Sequence, residues 1–366
     1  MRSIDRAFGI GLGVGLFVAC GQMAAPTECT IDGATYRGGA TNPSPDIGVC
    51  QTCVPTVRTS GWTNATLGTD CGEGRQCVSG GRCARVLKAL SGTGTSTWYD
   101  VGGSAGEVWV VGPTSQALRS TDRGATWTTL SLPGLQYRYG LFSAAPGQAV
   151  VVGTGGSVLS TTTGGAMWTT VRAPMNRVLR GVWGRSAAEL YVVGADGFIA
   201  RTTNGGDAWQ VLRSQADGGL QLTLYGVWGD ASQVLVVGEG GTVLRSTDGV
   251  TFSRVDATTT ATLAAVHGTG QSIFVVGSSG LLLRSKDGQR FERVELPVTA
   301  DLSDVWGVGA DVFVSTASGQ VLASSDDGAT WRELSTSGAQ VLNAVWGTSV
   351  QDVYTVGVSG VVLRTP

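Results

Sequence analysis

The sequence is poor in the residues of polar chemistry. Only 14% of its 366 residues are charged, and the formal net charge is -2. No basic field is present to hold nucleic acid, and no acidic tail stands out. Lysine occurs only as Lys88 and Lys286, and histidine only as His267. With a single imidazole, standing in a column of aromatic residues described below, no Ser-His-Asp set is proposed. Walker and Rossmann phosphate loops are absent. The alternating glycines at Gly9, Gly11, Gly13 and Gly15 have no strand-helix unit around them. The apolar stretch from Ala7 to Phe17 is too short to span a bilayer. Cysteine stops at Cys83. What the chain has in excess is glycine, 57 residues, with 11 tryptophans. Without collagen periodicity, that composition predicts many short strands joined by tight turns.

The first residues read as an export signal. Arg2 and Arg6 precede the apolar stretch, and "FVAC", Phe17 to Cys20, follows it. The tetrad resembles the bacterial lipoprotein lipobox, with Phe17 where leucine is usual. The resemblance implies a signal peptide over 1–19 and a lipidated Cys20 as first mature residue. With Gly21 next, it implies an outer-membrane lipoprotein, on either side of that membrane. Six cysteines then remain over 20–83: Cys29, Cys50, Cys53, Cys71, Cys77 and Cys83. An even number in an exported chain predicts three disulfides, with fifteen pairings open. The intervening sequence is polar and turn-rich, so this module needs covalent staples in place of a core. A zinc site is disfavoured, since no histidine lies there.

After residue 84 the chain repeats. The triplet "VVG" or its variants ends at Gly112, Gly153, Gly194, Gly238, Gly277 and Gly357, with Thr316 in the same column. Six intervals across 245 residues give a period of about 41, the size of a four-stranded propeller blade. Each period holds four apolar runs. The first is "GVWG", which aligns Trp183, Trp228, Trp306 and Trp346 with Phe142. The second is apolar throughout, so both faces of that strand are expected to be buried. The third leads into a turn phrase, complete in "STDRGATW" (Ser120, Asp122, Gly124, Trp127) and "SSDDGATW" (Ser324, Asp326, Gly328, Trp331). Ser and Asp can hydrogen-bond nearby amides, and Gly accepts the left-handed conformation of a tight turn.

Ser-x-Asp-x-Gly-x-Thr-Trp resembles the Asp-box of bacterial neuraminidase-type repeats. The whole unit, over 85–366, is similar to the repeats of the photosystem II assembly factor family, sortilin-like receptors and xyloglucanases. The resemblance implies an all-β, seven-bladed propeller over 84–366, with the Asp-box as a structural turn between third and fourth strands. It implies little about reaction, because superfolds host many functions. The seventh repeat ends at Pro366 after its third strand, while "ARVLKAL", Ala84 to Leu90, resembles a fourth strand. This segment is therefore expected to complete the last blade and close the ring.

Neuraminidases bind a carboxylate through three arginines. Arg119, Arg201, Arg245, Arg284 and Arg364 all stand in one repeat column, as architectural residues do, and are read as packing and turn residues. No acidic pair stands out for glycoside hydrolysis. The Asp-box acids are read as backbone caps in preference to calcium ligands, and no cofactor or metal is expected. The leading expectation is a non-catalytic binding or assembly protein with a protein or glycan partner. A sialidase-like glycoside hydrolase is the alternative. The candidate rim lies in two unusual connections between blades, "PGLQYRYG" and "RAPMNRVLRG". They bring Tyr137, Arg138, Tyr139, Arg172, Arg177 and Arg180 to neighbouring blades with no acid in either stretch.

Overall fold

The computed structural model describes the chain from 82 onward except 135, 173–175, 214–220, 337–339 and 366. Before that it describes only the short strands Glu28–Ile31, Ala34–Arg37, Gln51–Thr52, Thr63–Asn64 and Arg75–Val78. The signal peptide and Cys20, Cys50, Cys53 and Cys71 lie outside the described residues.

Seven antiparallel blades stand around an axis. Blade 1 runs from Asp100–Ser104 through Glu107–Val111 and Gln116–Ser120 to Thr128–Ser131. Blades 2 to 6 begin at Arg138–Phe142, Leu179–Gly184, Leu224–Gly229, Leu263–Gly268 and Leu302–Val308. Blade 7 holds Leu342–Ser349, Asp352–Gly357 and Val362–Arg364. The strand Arg82–Ala89 runs antiparallel beside the last of these, with Ala89 opposite Leu363 and Lys88 opposite Arg364.

The second strands explain why the blades stack. Every residue of Glu107–Val111, Ala149–Gly153, Leu190–Gly194, Val234–Gly238 and Ile273–Gly277 is buried. Side chains alternate across a strand, so successive residues go to opposite neighbours. Leu190 and Val192 pack with blade 2, in a cluster with Val152 and Val158. Tyr191 and Val193 pack with blade 4, against Val234 and Val236. Seven such apolar clusters fall one between each pair of adjacent blades. The fourth strands are outermost, and Thr128–Ser131 is largely exposed.

The turn phrase closes on itself through its own side chains. Ser120 Oγ accepts the Gly124 amide at 2.7 Å and donates to Asp122 Oδ1 at 2.7 Å. Asp122 in turn accepts the Thr126 amide at 2.8 Å and the Thr126 hydroxyl at 2.6 Å. These bonds hold the Asp122 carboxyl down at about 2. Ser324, Asp326, Gly328 and Thr330 repeat the pattern, and Trp331 Nε1 donates to the Gly328 carbonyl at 3.1 Å. Gly124 and Gly328 take φ of +80° and +81°, where a Cβ is strained.

The third-strand arginines are held within their own hairpins or by the next blade. Arg119 pairs with Glu107, Arg201 Nη2 meets Glu189 Oε1 at 2.8 Å, and Arg364 Nε meets Asp352 Oδ1 at 2.8 Å. Arg245 donates to Gln233 Oε1 at 2.6 Å, and Arg284 to the Asp327 carbonyl at 2.8 Å.

Candidate functional site

The first strand of each blade lines the axis, and it lines it differently at its two ends. Toward the turn-phrase face, Phe142, Trp183, Trp228, His267, Trp306 and Trp346 ring a cavity of about 290 Å³. These rings interlock with glycines of the next blade. A Cβ on Gly229 would stand 2.8 Å from Trp183, and one on Gly347 would stand 2.9 Å from Trp306. His267 fills the tryptophan place between Trp228 and Trp306, each 6.3 Å away by ring centroids. Its Nε2 lies 2.9 Å from the Gly307 carbonyl. Burial lowers its pKa to about 4, so it is neutral at physiological pH.

At the opposite end the same strands carry a β-bulge. Pairing slips between Arg138 and Gly140, Leu179 and Gly181, Leu224 and Gly226, Leu263 and Ala265, Leu302 and Asp304, and Leu342 and Ala344. The extra residues are Tyr139, Arg180, Tyr225, Ala264, Ser303 and Asn343, and Tyr99 precedes the corresponding strand of blade 1. A bulge releases a residue from the ladder and re-aims its side chain. All seven line a funnel of about 630 Å³. One side is aromatic and cationic. Tyr139 stacks on Tyr99 at 5.4 Å and on Tyr137 at 6.1 Å, and Tyr137 at the rim is 49% exposed. The Arg180 guanidinium lies over the Tyr139 ring at 4.2 Å and the Tyr225 ring at 5.8 Å. Tyr225 donates to Glu239 Oε1 at 3.0 Å, which with burial raises the phenol's pKa. The other side is small and polar, with Ser303 and with Asn343 donating to the Trp98 carbonyl at 2.7 Å.

One residue deeper the column reads Asp100, Gly140, Gly181, Gly226, Ala265, Asp304, Ala344. The glycines are steric, since a Cβ on Gly181 would stand 2.6 Å from the Tyr225 carbonyl oxygen. The two aspartates break the pattern. Asp100 accepts the amides of Val101 at 2.8 Å and of Leu141 on blade 2 at 2.7 Å. Asp304 accepts those of Val305 at 2.8 Å and of Val345 on blade 7 at 2.9 Å. Each carboxyl keeps some surface on the channel yet is enclosed by protein. Burial pushes Asp304 up to about 7 against its two amide bonds. It pushes Asp100 well above the carboxylate range, with the charge of Asp304 adding to the rise. Both line funnel and lower cavity, so they mark the waist between them. An acidic pair is therefore present, against the expectation from the sequence that none stands out. Aligning "YDVGG" and "SDVWG" with "RGVWG" and "YGVWG" exposes it, because only these two carry an acid in a Gly/Ala column.

The rim residues fare unequally. Tyr139 and Arg180 belong to the funnel wall, and Tyr137 stacks on Tyr139 at its rim. Arg138 does not: it is 0% exposed. Its Nη2 donates to the Pro133 carbonyl at 2.6 Å, and its Nη1 to Ser157 Oγ at 2.8 Å and Gln136 Oε1 at 3.1 Å. In strand register Arg138 points away from the aromatic wall and ties its own connection to the blade. Arg177 is not free of acids either, since it pairs with Asp196 from the second-to-third turn of blade 3. Arg172 ends a strand of blade 2, and its side chain lies outside the described residues.

Among the described residues no group of three or more His, Cys, Asp or Glu is placed to hold a metal, and no helix is long and apolar enough to cross a membrane. No protein-family model matches the chain, and no curated protein does. Solved structures do. The chain is similar to YCF48 bound to D1 peptide, with a TM-score of 0.64 at 18% identity, covering 76% of this chain and 94% of that one. It is similar to YCF48 from Cyanidioschyzon merolae, with a TM-score of 0.63 at 19% identity, covering 76% and 98%. A GH74 enzyme of Niastella koreensis matches with a TM-score of 0.61 at 16% identity, covering 76% of this chain and 53% of that one. At these identities the likeness is one of fold.

Proposed function

We propose that this propeller is a non-catalytic binding protein that receives a segment of a protein partner in the funnel. One observation carries the reading: the repeat is broken in the column that the bulges aim into the channel mouth. Architecture recurs with the period, whereas a site must differ from blade to blade. Tyrosine and arginine are also the residue types that dominate binding hot spots. The similarity to a propeller solved with a bound peptide supports a peptide over a glycan. A photo-crosslinking amino acid at Tyr99 or Tyr137, expressed in the native cell, should capture a partner. The same group at Thr126, on the turn-phrase face, should not. Capture at Thr126 alone would overturn the proposal.

The acidic pair favours a second reading, a glycoside hydrolase, for which two carboxyl groups are needed. Against it, all four carboxyl oxygens already hold backbone amides. Turnover of fluorogenic glycosides, lost on Asp304→Ala, would establish the second reading.

The wider setting proposed is export and attachment to the outer membrane through lipidated Cys20, which Cys20→Ser should release from the membrane fraction. The strand Arg82–Ala89 is proposed to complete blade 7 and close the ring, with the Cys-rich module of 20–83 hanging from it. Cys77 stands opposite Cys83 in register, so this pair is proposed as one of the three disulfides. Non-reducing peptide mapping that joins Cys77 to another cysteine would overturn that pairing.

A further inference from the structure

Granting that the funnel binds a protein segment, its chemistry specifies what that segment carries. The cavity of about 630 Å³ narrows from three tyrosine rings and Arg180 to the two aspartates at the waist. No ion pair joins Asp100 or Asp304 to a cation among the described residues. Arg180 is engaged at the mouth by the rings of Tyr139 and Tyr225. Two acids thus face one space with backbone amides but no cation beside them. The fold does not require either acid, since Gly or Ala stands there in the other five blades.

We infer that the funnel is a socket for a lysine side chain of the partner, its stem against the tyrosine wall and its ammonium between Asp100 and Asp304. Three features select lysine. The pair lies one residue below the bulge layer, so an unbranched stem can reach it while the partner's backbone stays at the rim. Tyrosine faces attract a cation and cover methylene groups equally well. Each carboxyl oxygen already accepts one amide bond, which leaves single lone pairs spread around the axis. A compact ammonium with three rotatable donors uses these better than the rigid fork of arginine. A free chain N-terminus would have to bring its backbone between the closely spaced strands at Gly140, Gly181 and Gly226.

Binding is then linked to protons. Without a cation, repulsion and burial keep the pair partly protonated near neutrality, and the ammonium displaces that proton. The other titratable groups facing the site are Tyr99, Tyr139, Tyr225 and Arg180 above and His267 below. Burial raises the phenols of Tyr99 and Tyr225, away from neutrality. His267 is already neutral, so the carboxyls dominate the titration. Blade 5 offers Thr262, Ala264, Ala265 and Val266, none of them ionisable, and blades 6 and 7 add Ser303 and Asn343.

The test uses the full chain and blocked pentapeptides, acetylated and amidated, with one central residue among glycines, titrated by nuclear magnetic resonance. The lysine peptide should bind, and the isosteric norleucine peptide should not. Affinity for lysine should weaken as pH falls from about 8 to about 6, as the carboxyls protonate. Asp100→Ala or Asp304→Ala should each cost at least about tenfold in that affinity. Asp304→Asn, which keeps the shape, should do the same. Equal binding of norleucine, unchanged affinity in the aspartate variants, or tighter binding of arginine, a free N-terminal amine or spermidine would each overturn the inference. If the lysine peptide is silent while crosslinks persist at Tyr99, the socket is wrong and the binding reading stands. If those crosslinks are also absent, both fall.

Discussion

The two ends of the axial channel are built by the same seven strands and obey different rules. Tyr139 stands three positions before Phe142, as do Arg180 before Trp183, Tyr225 before Trp228 and Asn343 before Trp346. At the turn-phrase end the side chains are bound into the ladder and locked against the next blade's glycines, so one ring-bearing solution recurs in six blades, His267 included, and only Gly102 of blade 1 departs from it. At the funnel end a bulge removes the residue from the ladder in blades 2 to 7, and Tyr99 stands just ahead of the first strand of blade 1. Nothing in the blade then dictates its identity, and seven positions carry Tyr, Tyr, Arg, Tyr, Ala, Ser and Asn. Repetition marks where packing decides, and variety marks where it does not.

That contrast can be attacked from both sides. The largest effect is expected from Arg138→Ala, which removes a fully buried guanidinium from Pro133, Gln136 and Ser157. A loss of about 3 kcal/mol in denaturant unfolding is expected. A variant as stable as the parent would return Arg138 to the rim. Next comes Gly268→Ala at the regular end, where the new Cβ would overlap the Trp228 ring. Overpacking of this kind costs about 1–3 kcal/mol. If Gly268→Ala is neutral, the interlock does not set the column. Ser324→Ala leaves the buried Gly328 amide without its acceptor. A loss of about 1–2 kcal/mol is expected, and a missing loss would mean that the turn holds through Asp326 alone.

The smallest effect on stability belongs to the waist, and its sign depends on pH. Asp304 is raised by burial to about 7, above its value in the unfolded chain. Its contribution is therefore whole below the unfolded carboxylate pKa and is lost as pH rises through about 7. The melting temperature of the parent should fall between about pH 5 and pH 8, and Asp304→Ala should fall less. Asp304→Ala should thus gain on the parent as pH rises. A parent that gains on the variant instead would make Asp304 a strut between blades 6 and 7.

The blade period, the four strands and their buried second runs were legible because each rests on a pattern repeated seven times. The funnel was half legible. Tyr139 and Arg180 stand out as oddities in a connection, but Arg138 stands out with them, because linear sequence does not show which face a residue takes beside a bulge. Tyr99, Tyr225, Asp100 and Asp304 were missed for another reason. Each is ordinary within its own blade, and only a ring brings residues about two hundred positions apart to one axis. Column-by-column alignment of the first strands would have shown the acids. It would not have shown that they share a cavity.

The tyrosine stack has a consequence for the rate at which anything leaves. Fixing a flexible side chain on association costs about 0.5–1.5 kcal/mol. Tyr99, Tyr137 and Tyr139 are stacked on one another, and Arg180 lies against Tyr139. That ordering belongs to the fold itself, so the proposed partner segment would not have to supply it. The benefit appears mainly in dissociation, because arrival is governed by diffusion and orientation while departure must break every contact at once. Uncoupling the stack with Tyr139→Ala would shorten the residence time of the proposed partner segment far more than it slows its arrival.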